Sequence, residues 1–283
     1  MATGHAVLNR SREIHPSAWF LPREHGATAM LFIPIACVAI LSRTWRWAEL
    51  ATILAAFAAL AAKDPMVVLA RQRFVWKQRH PETSSAIRWF AGWTVLLVLS
   101  GLVLLAAWPF NATVALGAGV AVFSALAIAV NVKNRQRSTP FQIASGVALT
   151  SSALATSLSA SGAIAPWCWW LWLLLAMQAT AGILVVHARL DARIALRSAA
   201  LGKENYRRAA QISLVVLACT AIAAIIFGRG FIAAALLVAV AGYAYDLRAQ
   251  RNPAALQLPL KSVGKRALAL SSLYASLLIL GLW

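Results

Sequence analysis

Nine strongly apolar segments alternate with short polar connections along this chain. A helix needs about 20 apolar residues to cross the hydrocarbon core of a bilayer, and most of these segments are about that long. Lipid offers the backbone no hydrogen-bond partners, so such segments must be helical. The pattern therefore predicts an all-α, polytopic transmembrane bundle. The predicted spans are residues 26–42, 47–69, 87–108, 111–132, 140–160, 166–188, 209–228, 230–247 and 265–283.

Composition supports a membrane protein and defines its domains. Hydrophobic residues make up 61% of the 283 positions and charged residues only 12%, whereas soluble domains are near half apolar and a quarter charged. Residues 1–25 are polar and form an N-terminal segment. Residues 26–283 contain no long polar linker, so we expect a single transmembrane domain.

The net charge is +18, and most of the basic residues are expected on one side of the membrane. The cations lie between apolar segments, so membrane topology explains them better than a nucleic-acid partner does, and we expect none. If the nine spans alternate, all but three of the 26 lysines and arginines share one side; the exceptions are Arg43, Arg46 and Arg229. The positive-inside rule then predicts a cytoplasmic N-terminus and an external C-terminus.

The few acidic and histidine residues near the basic connections are the candidates for chemistry. His187 and Asp191 are separated by four residues and share a helix face. Such a pair could form an ion pair, act as acid and base, or hold a divalent ion. Ionisable groups at membrane segments are functional candidates by default. The alternative is that the acidic residues only form ion pairs with the abundant arginines. The candidate catalytic residues are Glu24, His25, Asp64, His187 and Asp191.

Basic connections on the same side suggest a pocket for an anion. Clusters of arginine and lysine favour phosphate and diphosphate. Asp64 and Pro65 are expected to cap or break the second helix there. The candidate anion-binding residues are Arg23, Lys63, Arg71, Arg73, Lys133, Arg137, Arg189, Arg193 and Lys261.

One motif before the first span has a family resemblance. The run from Pro22 to Ala27, Pro-Arg-Glu-His-Gly-Ala, is followed by an apolar helix that contains Pro34. This arrangement resembles the YwiC-like bacterial membrane proteins, which open with a (K/R)(E/Q)HGAW-type motif. Thr28 stands here where tryptophan is commoner. The resemblance implies a multi-pass protein of the bacterial cytoplasmic (inner) membrane.

The wider layout is similar to the UbiA superfamily of intramembrane prenyltransferases. The segment from Lys133 to Gly146 resembles that family's KR-x-T-x-x-x-Q-x-x-x-G stretch, and Asp64 and Asp191 lie where its two aspartate-rich motifs would fall. The resemblance implies Mg²⁺, held at Asp64 and Asp191, and an isoprenoid diphosphate substrate. Each site here has a single aspartate, whereas two Mg²⁺ ions need more oxygen ligands.

Three functions follow from these observations. A prenyltransferase-like enzyme would bind an isoprenoid diphosphate or another anionic lipid at a basic cytoplasmic pocket. A non-catalytic protein would bind membrane lipids or scaffold partners, because basic rims bind anionic headgroups without chemistry. A small-molecule transporter is the third alternative. The sequence does not specify the substrate or the oligomeric state.

Overall fold

The computed structural model describes residues 25–78, 81–132, 138–197 and 205–283, where every regular element is a helix. A π-helical turn (Gln72–Trp76) follows the second α-helix. The α-helices are α1 (His25–Ser42), α2 (Trp47–Arg71), α3 (Thr83–Ala107), α4 (Phe110–Val132), α5 (Thr139–Thr150), α6 (Ser152–Ser161), α7 (Pro166–Arg197), α8 (Asn205–Ile226), α9 (Gly230–Ala249), α10 (Pro253–Leu256) and α11 (Leu260–Leu282).

The all-α, polytopic prediction is confirmed. Eight helical stretches in the described residues are long and apolar enough to cross a membrane, and the shorter apolar helix α1 occupies the place of the first predicted span. The fifth predicted span is one such stretch, in which Ser151 separates α5 from α6. The sixth continues well beyond residue 188, because α7 runs to Arg197.

The predicted break at Asp64 and Pro65 is wrong, because α2 continues through both residues. Pro65 is fully buried inside the helix. Proline removes one backbone hydrogen bond, and transmembrane helices tolerate it where neighbouring groups compensate. The irregularity lies further along the chain instead, in the π-helical turn and in Lys77, whose φ of 52° is left-handed.

The longest helix, α7, lies at the centre of the main core. It packs against α5, α8, α9 and α11. Its Gln178 amide donates to Tyr243 Oη over 2.8 Å and to Ser271 Oγ over 2.9 Å. Tyr274 Oη donates to the Leu174 carbonyl over 3.0 Å. Polar side chains within a membrane bundle stabilise it when they pair in this way, so these bonds fix α9 and α11 on α7.

The α2–α3 pair packs against the rest of the bundle through α6 and a smaller core. Trp108 follows α3, is buried, and donates its indole N–H to Ser159 Oγ on α6 over 2.9 Å. Thr52 on α2 meets the same hydroxyl at 2.5 Å. Leu102, Val122 and most other large apolar side chains of α3 and α4 are exposed, as expected for lipid-facing helices.

Contacts between helix ends define three groups at one end of the bundle. The end of α7 meets the starts of α5 and α8, and the end of α9 meets the start of α11. The end of α2 meets the end of α4. The basic connections identified from the sequence join these helix ends, and we call this the basic end.

Candidate functional site

The length of α7 places four candidate residues on a helix rather than in a loop. A helix of 32 residues is about 48 Å long at 1.5 Å per residue, and the hydrocarbon core is only about 30 Å thick. Its last turns therefore extend towards the basic end. They carry His187, Arg189, Asp191 and Arg193.

His187 joins α7 to α5 and α8. Its Nε2 lies 2.9 Å from Gln142 Oε1, and its Nδ1 lies 3.3 Å from Thr139 Oγ1. These partners fit a neutral ring that donates at Nε2 to the amide oxygen and accepts at Nδ1 from the hydroxyl. The Tyr206 ring of α8 lies 5.2 Å away, centroid to centroid. His187 is buried by these neighbours.

The α5 motif noted in the sequence has a structural explanation in this joint. Thr139, Gln142 and Gly146 are spaced three and four residues apart, so they share one face of α5. A Cβ atom at Gly146 would lie only 2.9 Å from the Ile183 side chain of α7. Glycine therefore permits the close approach, and the other two residues bond to His187.

Replacing Gln142 with leucine is expected to weaken this joint without unfolding the bundle. His187 Nε2 would lose its acceptor, and one neutral hydrogen bond contributes about 1 kcal/mol to stability. Thermal unfolding in detergent, followed by tryptophan fluorescence, measures the change. Gln257→Leu is the matched control, because Gln257 is exposed after α10. Equal melting temperatures for the two variants would contradict the described joint.

Asp191 is the candidate residue with an unused bonding capacity. It lies one turn beyond His187 on the same face of α7, within electrostatic reach of the imidazole. Its Oδ2 atom is buried and has no hydrogen-bond partner among the described residues. A carboxylate oxygen in that position can accept a hydrogen bond or a cation.

Arg189 is engaged with the backbone rather than exposed to a ligand. It is only 5% exposed, and its Nη2 donates to the Ala255 carbonyl of α10 over 2.6 Å. Its Nε is buried without a partner in the described part of the chain. Asp246, which pairs with Arg266 at 2.7 Å, lies within its electrostatic reach. Arg189 thus tethers the α9–α11 connection to α7, and its anion-binding role stays a prediction.

The tether predicts a local effect of Arg189→Met. A hydrogen bond to a charged group contributes about 1.5–3 kcal/mol, so local opening of α10 should become roughly 10- to 150-fold more frequent. Hydrogen–deuterium exchange at the amides of Leu256 and Gln257 measures this opening. Arg248→Met, at an exposed arginine of α9, provides the control. Unchanged exchange in Arg189→Met would contradict the tether.

The second predicted aspartate belongs to another part of the bundle. Asp64 and Lys63 lie on α2, whose main packing partners are α3, α6 and α4, and neither side chain is without an interaction. Arg71 donates to the Asn131 carbonyl of α4 over 3.2 Å, while Arg73 is exposed. No group of three or more His, Cys, Asp or Glu side chains suited to a metal occurs within the described ranges.

Several predicted site residues fall outside what the structure describes. Arg23, Glu24, Lys133 and Arg137 lie in the segments that precede α1 or join α4 to α5. The side chains of His25 and Lys261 are likewise not described, although both residues begin or lie within helices. Their roles stay predictions.

A basic groove was missed by the sequence analysis. Its volume is about 570 Å³, and it is lined by Arg207, Arg208 and Gln211 of α8 and by Arg251 after α9. In the sequence these arginines served only as indicators of topology. More than forty residues separate α8's arginines from Arg251, so only the fold brings them together.

The helical architecture defines an integral, multi-pass membrane protein. Within that class, residues 21–157 match the family model described as YwiC-like protein, so this part of the chain is similar to that family. The match covers α1 to α5 and part of α6, and so ends before His187 and Asp191. No curated protein and no solved structure gave a significant match.

Proposed function

We propose that this protein binds the phosphate or diphosphate group of an isoprenoid, or of another anionic lipid, at its basic end and transfers the prenyl group. It would act as a UbiA-like prenyltransferase of the bacterial cytoplasmic membrane, with the basic end facing the cytoplasm. The observation that carries the proposal is the Asp191 carboxylate, whose buried Oδ2 has no partner among the described residues. Ionisable groups on membrane-spanning helices are costly and are typically retained for function.

The oxygen ligands at this end of α7 fit a cation that binds together with the lipid phosphate. Mg²⁺ is usually bound by one or two carboxylates together with substrate phosphates. Asp191 supplies one carboxylate. Asp64 belongs to another part of the bundle, so its role in holding Mg²⁺ stays a prediction. When bound, Mg²⁺ would neutralise charge on a departing diphosphate. Partly exposed Arg193 is suited to hold the outer phosphate oxygens, because guanidinium groups bind phosphate bidentately.

His187 supports this proposal as a positioning residue. Both of its ring nitrogens have partners on α5, and the ring packs beside Tyr206 of α8. These contacts hold the last turns of α7 against α5 and so orient Asp191. The carboxylate, rather than the imidazole, is then the group that meets the ligand.

The test is incubation of the purified protein, reconstituted in nanodiscs, with radiolabelled prenyl diphosphates, acceptor lipids and Mg²⁺. We expect saturable binding that Mg²⁺ strengthens, together with release of diphosphate when an acceptor is present. A melting transition recorded on the same sample establishes that it is folded. A folded sample with neither binding nor turnover contradicts the proposal.

Non-catalytic lipid binding is the second candidate, and a groove between α9 and α11 favours it. This groove has a volume of about 320 Å³ and presents Leu270 and Leu273 below the Asp246–Arg266 ion pair. Apolar walls under charged groups suit a phospholipid. Native mass spectrometry distinguishes the candidates: retained phospholipid without an isoprenoid, and no diphosphate release, favours the non-catalytic function.

A further inference from the structure

The basic groove defined above lies where α8 begins and α9 ends. Arg207, Arg208 and Gln211 come from the first two turns of α8, and Arg251 comes from the turn that follows α9. None of the residues predicted from the sequence as a catalytic or anion-binding group lines it. Its volume of about 570 Å³ is within the range of about 300–1,000 Å³ typical of small-molecule sites.

The charge in the groove is unbalanced. Three guanidinium groups line it, and no acidic side chain of the described residues does. Glu204, the nearest acidic residue in sequence, lies outside those residues; its single charge would still leave an excess of two positive charges. Positive charges close together repel each other, so the groove is arranged to receive an anion.

The position of α8 adds to this imbalance. Arg207 and Arg208 lie in its first turn, at the positive end of the helix dipole. Cations are unfavourable there, whereas an anion is favoured by the dipole and by the free backbone N–H groups. The repulsion and the dipole therefore both favour a bound anion.

The groove adjoins the ends of two apolar stretches, where lipid headgroups are expected. The transmembrane stretch of α8 begins at Tyr206, and that of α9 ends at Ala249. Basic pockets between transmembrane helices on the cytoplasmic side bind phosphate-bearing headgroups. Arginine is the residue best suited to bind two phosphate oxygens at once.

We propose that Arg207, Arg208, Gln211 and Arg251 form a second binding site, which takes the phosphate group of a lipid headgroup. This site is independent of the chemistry proposed at Asp191. The three arginines bind the phosphate oxygens, and the Gln211 amide donates to a headgroup oxygen. Occupancy removes the repulsion at the start of α8 and stabilises the bundle.

The test uses the full-length protein in nanodiscs of neutral phosphatidylcholine. Phosphatidic acid is added as the lipid probe, and inorganic phosphate and diphosphate as soluble probes. The melting temperature and native mass spectrometry report binding. The variant is Arg207→Gln/Arg208→Gln/Arg251→Gln. The control, Lys77→Gln/Arg88→Gln/Arg248→Gln, removes the same charge from exposed residues outside the groove.

Phosphatidic acid should raise the melting temperature of the wild-type protein and the control. The groove variant should lose affinity on the order of 100-fold, because each basic residue near the surface contributes roughly a fivefold factor. Without phosphatidic acid, this variant should melt no lower than wild type, since repulsion is relieved. An equal response to soluble diphosphate would support the phosphate site but assign it a soluble ligand. No stabilisation of wild type, or equal stabilisation of the groove variant, overturns the proposal.

Discussion

Replacing Gly182 with leucine is expected to prevent stable folding of the bundle. Gly182 lies on α7 beside the buried Tyr243, and a Cβ atom there would be 2.8 Å from Tyr243 Oη. The larger side chain must displace the tyrosine, which donates to the Gln178 carbonyl and accepts from its amide. Overpacking costs about 1–3 kcal/mol or more, and each lost hydrogen bond adds about 1 kcal/mol. The sum is a large part of a typical stability.

Gly101→Leu is the matched control for this variant. Gly101 lies in the lipid-facing helix α3, and no heavy atom outside its own turn would meet a Cβ within 4 Å. Both substitutions gain the same helix propensity relative to glycine, so any difference comes from packing. Thermal unfolding and size-exclusion chromatography in detergent measure it. Equal stability of the two variants would refute the close contact between α7 and α9.

Replacing Asp191 with asparagine should separate function from folding. The change removes the charge of a partly buried carboxylate whose buried Oδ2 lacks a partner in the described structure, so stability should be unchanged or higher. Mg²⁺ should nevertheless increase the affinity for prenyl diphosphate less in this variant than in the wild-type protein. Loss of one charge-assisted contact of about 1.5–3 kcal/mol corresponds to roughly a 10- to 150-fold weaker affinity.

The control for this prediction is Asp246→Asn, which removes the same charge at the ion pair with Arg266. Titration of labelled prenyl diphosphate with and without Mg²⁺, in nanodiscs, gives the affinities. The control should retain the Mg²⁺ effect. If Asp191→Asn retains it as well, Asp191 serves only as the ionic neighbour of His187, and the proposed role is wrong.

The sequence was sufficient to predict the membrane-spanning architecture. Apolar length and helicity follow directly from the absence of hydrogen-bond partners in lipid, so the predicted spans correspond closely to helices such as α4 and α9. The motif before α1 was sufficient to predict the similarity to YwiC-like proteins, whose family model matches residues 21–157. The UbiA-like resemblance and the orientation stay predictions.

The details of the site depended on tertiary contacts. Pro65 predicted a helix break by local propensity, but α2 continues through it because packed surroundings tolerate the missing bond. Arg189 had the residue type of an anion ligand, yet the fold directs it to the Ala255 carbonyl. Arg251 and Arg207 are distant in sequence, and only the packing of α8 on α9 brings them into one groove.

The central claim is that an anionic isoprenoid binds where the end of α7 meets the starts of α5 and α8. Photocrosslinking tests it most directly. A prenyl diphosphate with a diazirine in its first isoprene unit would be added to the protein in nanodiscs, and labelled peptides would be mapped by mass spectrometry. We predict labelling near Thr139, His187 and Tyr206, competed by unlabelled ligand and reduced in Asp191→Asn. Labelling confined to the lipid-facing α3 and α4, or insensitive to competition, would contradict the account.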